Sequence, residues 1–184
     1  ACKAEGIKPI YGVEFYHAKD RRVKRRTRNE KANNHLTALA TSTAGYRNLL
    51  ALSAIANKEG KYGKWPRVDD EVLSQYSDGL VLTSGCMGSM VSQHLMNGDY
   101  QAARKQAAAH RDMVGKDRYY VEIMRHGFAE QDKLIGEQLR LAKDLGLGLV
   151  ATNDSHYTEE GDSVGHDVLL CVQMKTKIND PNRM

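Results

Sequence analysis

The strongest constraint on the fold is an alternation of two hydrophobic periods. Four apolar runs of strand length, residues 35–41 (HLTALAT), 79–84 (GLVLTS), 118–124 (RYYVEIM) and 147–152 (LGLVAT), are kept apart by segments of helical spacing. An extended run at 7–16 precedes them as a first strand. Residues 43–58 repeat Leu49, Leu52, Ile55 and Ala56 near the helical period, and Gly60 follows as a stop. Asp69 can cap a short helix through Tyr76, a further helix fits 88–96, and Asp99 can cap an alanine-rich one running to Val114. Residues 129–145 place Ile135, Leu139 and Ala142 on one face before Gly146, and 161–172 make a last helix. Strands separated by helices predict an α/β fold with a parallel sheet or a barrel of βα units. Reactive residues are then expected on loops after the C-terminal ends of strands.

Composition narrows the function classes. In 184 residues, 41% are hydrophobic and 27% charged, enough for a packed core. No apolar stretch reaches the length of a bilayer span, and no signal peptide opens the chain, so membrane and secreted readings are set aside. Cys2, Cys86 and Cys171 are odd in number and form no CxxC pair, which points to a reducing, cytoplasmic setting rather than a disulfide framework. Residues 1–5 read as the last turn of a helix ending at Gly6, without an initiator Met, and 180–182 as a turn leading onward. These ends are expected of a fragment.

The net charge of +4 is unevenly spread. Residues 19–31 hold eight basic side chains against Asp20 and Glu30, a local +6 that leaves −2 for the rest. Such a loop can meet nucleic-acid phosphates, with Arg21, Arg22, Arg25 and Arg26 as the contacts, or it can be a solvated tip. No aromatic residue interrupts the run to stack bases.

The chemistry-bearing residues gather at strand ends. After LVAT comes Asn153-Asp154-Ser155-His156-Tyr157, where Asp154 and His156, two apart in extended chain, can share one side. A carboxylate and an imidazole together suit a divalent ion, while Asn-Asp-Ser alone is also ordinary turn chemistry. Glu14 lies late in the first strand and Cys86 follows GLVLTS. His35 opens its strand, the wrong end for a βα unit, and reaches Glu14 only if the first two strands form an antiparallel hairpin across the basic loop. That donor set exceeds the needs of one tetrahedral ion and fits a cluster that clamps attacking and leaving oxygens in phosphoester hydrolysis. His94 and His110 are expected at helix surfaces or boundaries, His126 as a supporting residue, and His166 and Tyr157 in packing roles. No G-x-S-x-G, P-loop or G-x-G-x-x-G motif occurs.

These residues resemble a known family. Gly6-Ile7-Lys8-Pro9-Ile10 with Gly12-Val13-Glu14, then His35-Leu36-Thr37, Gly45-Tyr46-Arg47-Asn48-Leu49 and Ser84-Gly85-Cys86 are similar to the PHP (polymerase and histidinol phosphatase) domain of the bacterial DNA polymerase III alpha subunit. Ala151-Thr152-Asn153-Asp154-Ser155-His156-Tyr157, the segment from His166 to Gln173, and Asp180-Pro181-Asn182-Arg183 extend the resemblance over the whole chain. It implies a distorted TIM-like (β/α) barrel, incomplete here, with metal ions at the strand ends. The family's ordered ligands fall on Glu14, His35, Cys86, Asp154 and His156, with Asp154 and His156 nearest the chemistry. Zinc or manganese is implied, with magnesium also admissible. Some relatives with an intact set use the domain as a metal-dependent 3′→5′ proofreading exonuclease. Others keep the domain as a structural and docking part of the polymerase. DNA, the sliding clamp and a separate exonuclease are the implied partners. The family's earlier H-x-H strand, its later Asp-His pair and the polymerase palm are not among these 184 residues. Residues 173–177 also depart from the family, which more often has a Gly before a Lys there.

Overall fold

The structure is a computed structural model and describes residues 2–24 and 34–183. Six strands and six helices follow in the order β1 (Gly12–His17), β2 (Asn34–Ala40), α1 (Thr43–Lys58), β3 (Arg67–Val68), α2 (Asp70–Gln75) and β4 (Leu80–Thr83). After these come α3 (Met90–Met96), α4 (Tyr100–Val114), β5 (Tyr119–Ile123), α5 (Ala129–Leu145), β6 (Gly148–Ala151) and α6 (Ser163–Met174). Two compact units result, residues 1–152 and 153–184. Among the described residues no helix is long and apolar enough to cross a membrane.

The first unit holds one sheet in the order β3-β1-β2-β4-β5-β6. It is mixed rather than parallel throughout: β2 runs antiparallel to both β1 and β4, while the other pairings are parallel. The first strand begins at Gly12, later than the pattern from Ile7 suggests, because Ile10 and Tyr11 stand exposed and face no core. Alternation sends Phe15, Leu36, Ala38, Leu80, Leu82, Tyr119 and Val121 to one face, where Leu49, Leu52, Leu73, Ala107 and Leu141 of the helices cover them. The opposite face carries Glu14, His35, Thr83 and Glu122.

Helix boundaries follow their caps. Ser42 accepts from Gly45 N–H at the start of α1, Asp69 from Val72 N–H at α2, and Asp99 from Ala102 N–H at α4. In α5 the buried face is Leu134, Gln138, Leu141 and Leu145, so Leu139, expected inside, points out at 45% exposure. A similar shift corrects His110. It follows Ala103 and Ala107 on the inner stripe of α4 and is 1% exposed, not a surface residue.

The regular elements of the second unit are a short turn at Glu160–Asp162 and α6. Arg183 pairs with Asp167 at 3.2 Å, and Thr176 Oγ1 donates to Asp180 at 2.8 Å, which ties its last residues to the helix.

The docking of α1 depends on bare backbone. A methyl group on Gly45 would stand 2.0 Å from the carbonyl oxygen of Gly79, itself at φ 68° just before β4. Gly45→Ala gains helix propensity, yet it drives carbon into backbone that also accepts from Thr41. We expect it to lower unfolding free energy by about 2 kcal/mol, read as a reduced urea midpoint.

Candidate metal centre

Chain reversal between β1 and β2 assembles the centre. The hairpin pairs Glu14 with Thr37 and Tyr16 with His35, so Glu14 and His35 are diagonal neighbours on one face. Oε1 of Glu14 lies 2.7 Å from Nδ1 of His35. From the other side Cys86 brings Sγ to 3.4 Å from the same nitrogen, and Gly88 N–H donates to that sulfur at 3.3 Å.

The turn after β4 wraps closely around His35. Gly85 adopts φ 77°, and a Cβ there would lie 2.8 Å from Ser89 and 3.0 Å from the His35 carbonyl oxygen. The His35 amide donates to Gly88 O at 3.2 Å, while Ser89 caps α3 through Ser92 N–H. Backbone contacts thus fix Cys86 against His35. The hydrogen bond with Cys86, followed by that with Glu14, pushes the His35 imidazolium pKa up to about 10.

Beside this group sits Glu122, which the sequence pattern absorbed into an apolar strand. It is 3% exposed, and its carboxylate accepts from Thr83 Oγ1 and, at 2.6 Å, from Thr152 Oγ1. Its amide donates to Ser84 Oγ at 2.9 Å, and its carbonyl accepts from Gln138 at 2.9 Å. Glu122 therefore ties together the C-terminal ends of β4, β5 and β6, from which the Cys86 and Asp154 loops depart. An acidic residue in RYYVEIM was the one available signal.

Asp154 and His156 belong to the second unit. His156 Nδ1 contacts the Asp154 carbonyl at 2.8 Å and its carboxylate at 3.8 Å, and both side chains are exposed. His166 packs beside them, its ring 5.3 Å from His156 and 5.4 Å from Tyr157. Of the five anticipated ligands, Glu14, His35 and Cys86 converge within the first unit, and Asp154 and His156 are neighbours within the second. His126 contacts Gln131, whose Oε1 accepts from the His126 amide at 2.6 Å. A cleft of about 610 Å³ between Pro9, Tyr11, Thr41 and Tyr46 includes none of the five.

The anticipated nucleic-acid contacts fare differently. Arg21 is buried, not presented to solvent: its guanidinium binds Asp69 at 2.8 Å, Glu59 at 2.8 Å and Glu71 at 3.0 Å. Arg22 is exposed but bound to Glu71 at 2.6 Å, and Lys24 donates to the carbonyls of Glu59 and Lys61. Carboxylates that cluster at Glu59 and at the start of α2 outcompete solvent for these cations, which corrects the reading of Arg21 as a phosphate contact. Arg25 and Arg26 lie outside the described residues.

Comparison with known protein families matches the PHP domain over residues 1–126, more than half of the chain. The chain belongs to the PHP domain family. It is 42% identical over its full length to the DNA polymerase III subunit alpha of Treponema pallidum, covering 16% of that protein. It is also 38% identical over its full length to that of Mycobacterium leprae, covering 17% of it, and 39% identical over 98% of its length to that of Thermus aquaticus, covering 15%. The chain thus spans about one-sixth of the length of these curated relatives. PHP domains are metal-dependent phosphoesterase-type domains, and the nitrogen, oxygen and sulfur donors at His35, Glu14 and Cys86 fit a divalent metal.

Arg21 supplies the stability test for this PHP domain. Arg21→Met leaves the buried, helix-capping Asp69 carboxylate without its partner and is expected to cost about 3 kcal/mol in urea unfolding. Hydrogen bonds from Arg22 and then Arg21 hold the Glu71 carboxyl down at about 2. The stability these pairs add is fully present above the ordinary Glu value. It is lost as pH falls toward 2, an acid limb that Arg21→Met should flatten.

Proposed function

We propose that this PHP domain is the metal-dependent phosphoesterase of a DNA polymerase III alpha subunit and acts as a 3′→5′ proofreading exonuclease on DNA. The observation that carries the reading is the convergence of Glu14 Oε1, His35 Nδ1 and Cys86 Sγ at ligand spacing on the face opposite the helices. Asp154 and His156 would contribute to the same cluster, within a distorted TIM-like barrel. Further ligands would come from segments of the polymerase beyond these residues.

Zinc suits the imidazole and thiolate donors, and manganese or magnesium the carboxylates. Bound ions would supply Lewis acidity at a terminal phosphodiester. The chain's own residues do the positioning. The Gly85–Gly88 turn fixes Cys86 against His35, the hairpin register aims Glu14 at the same ring, and Glu122 locks the strand ends that carry the loops. As part of a replicative polymerase in the cytoplasm, the domain would meet DNA and other replisome subunits, the sliding clamp among them.

Asp154→Asn keeps the shape of that side chain and removes its charge. In the intact polymerase subunit we expect it to lower bound metal and abolish the 3′-exonuclease while polymerase activity persists. Unchanged exonuclease in that variant would reject the catalytic reading. A loss of thermal stability and polymerase activity, with no nuclease in the wild type, would instead make the domain a structural and docking part.

Metal uptake should also depend on pH. Below about 10 the metal-free cluster keeps the proton on His35, and a metal must displace it. Apparent zinc affinity is therefore expected to weaken as pH falls from 8 to 6, with proton release detected by calorimetry in buffers of different ionisation enthalpy.

A further inference from the structure

A second ligand-like group lies on the helical side of the sheet. His17 ends β1, Asp70 opens α2 and His110 faces inward from α4. Alternation along β1 puts Glu14 and His17 on opposite faces, so this group is separate from Glu14, His35 and Cys86. Both histidines are 1% exposed. Nε2 of His17 stands 2.8 Å, and Nε2 of His110 3.2 Å, from the same Oδ1 of Asp70. All three atoms lie within 4.8 Å of one another.

Hydrogen bonding alone does not satisfy this group. The Gln106 amide nitrogen is 2.9 Å from both Asp70 Oδ2 and His110 Nε2. If His110 carries its proton on Nε2 and donates to Asp70, that N–H also faces the Gln106 amide N–H, and buried Nδ1 is left without a partner. If the proton sits on Nδ1, that donor is buried without a partner, and the Nε2 lone pair faces a carboxylate oxygen at 3.2 Å. Turning the amide over sets its oxygen against Asp70 Oδ2 instead. Each arrangement leaves two faults.

A cation at the point shared by the three atoms removes the repulsive contact. Both Nε2 lone pairs and Oδ1 become ligands, Gln106 keeps its bond to Asp70 Oδ2, and only the His110 Nδ1 proton stays unmatched. Around a tetrahedral zinc with 2.0–2.1 Å bonds, ligand atoms stand about 3.3 Å apart, close to the two separations observed here. The Asp70 side chain is 40% exposed, which leaves an entry path and an open position for water.

We propose that His17, Asp70 and His110 form a second divalent transition-metal site, of zinc type, that pins β1, α2 and α4 together on the helical side of the sheet. It does not depend on the phosphoesterase reading.

The test uses zinc alone on the intact protein in which Glu14→Gln, Cys86→Ser and Asp154→Asn have disabled the other cluster. One zinc equivalent should survive dialysis against a weak chelator and should raise the melting temperature. Adding Asp70→Asn, which preserves volume, should remove both effects. In crystals of unmodified protein grown with zinc, anomalous scattering at the zinc edge should show a peak between His17, Asp70 and His110. The proposal is overturned if the background retains no zinc, or if Asp70→Asn leaves the equivalent in place. Should the background fail to fold, the anomalous map decides, and a map without that peak overturns the proposal.

Discussion

The antiparallel pairing of β1 with β2 is the constraint on which the rest of the molecule depends. In a βα unit the second strand would run parallel to the first, and His35 would stand at the end remote from the reactive loops. Reversal carries the start of β2 back beside the end of β1, so His35 and Glu14 share one face within 2.7 Å. With β4 then antiparallel to β2, the exit of β4 delivers Cys86 to the same imidazole. One change of strand direction thus brings together donors 72 positions apart in the chain.

Each face of β1 has a distinct task. Phe15 belongs to the core and His17 to a buried polar group, while Glu14 looks away from the helices. Burying an imidazole, a guanidinium and carboxylates in a domain of this size is costly unless each finds a partner. Arg21 meets three carboxylates, Glu122 two threonine hydroxyls, and Asp70 two histidines. These pairings join α1 to α2, the ends of β4, β5 and β6, and β1 to α2 and α4. Polar contacts rather than added apolar area fix the register of elements whose strands are only two to seven residues long.

The identification as a PHP domain explains why the reactive groups favour one face. A core of Leu, Ala and Val holds the helices to the sheet from one side. The face with Glu14, His35, Thr83 and Glu122 is left to polar side chains. Its rigidity comes from the close-packed turn at Gly85 and from Glu122, neither of which is itself one of the anticipated ligands.

Local chemistry is legible in the sequence alone. Caps at Asp69 and Asp99, the span of α1 and α5, the strands near 35–41 and 79–84, and the family motifs all follow from short-range spacing. The hairpin too was conditionally readable, because His35 makes sense beside Glu14 in no other way. What only the tertiary structure decided are the pairings made across long separations. Arg21 reads as one of several basic side chains facing solvent until Glu59, Asp69 and Glu71, some 40 to 50 residues later, fold against it. His17, Asp70 and His110, each unremarkable in its own segment, become a group only when β1, α2 and α4 pack together. Spacing along the chain encodes which face of an element a residue takes. Which partner that face meets is set by the packing of the whole domain.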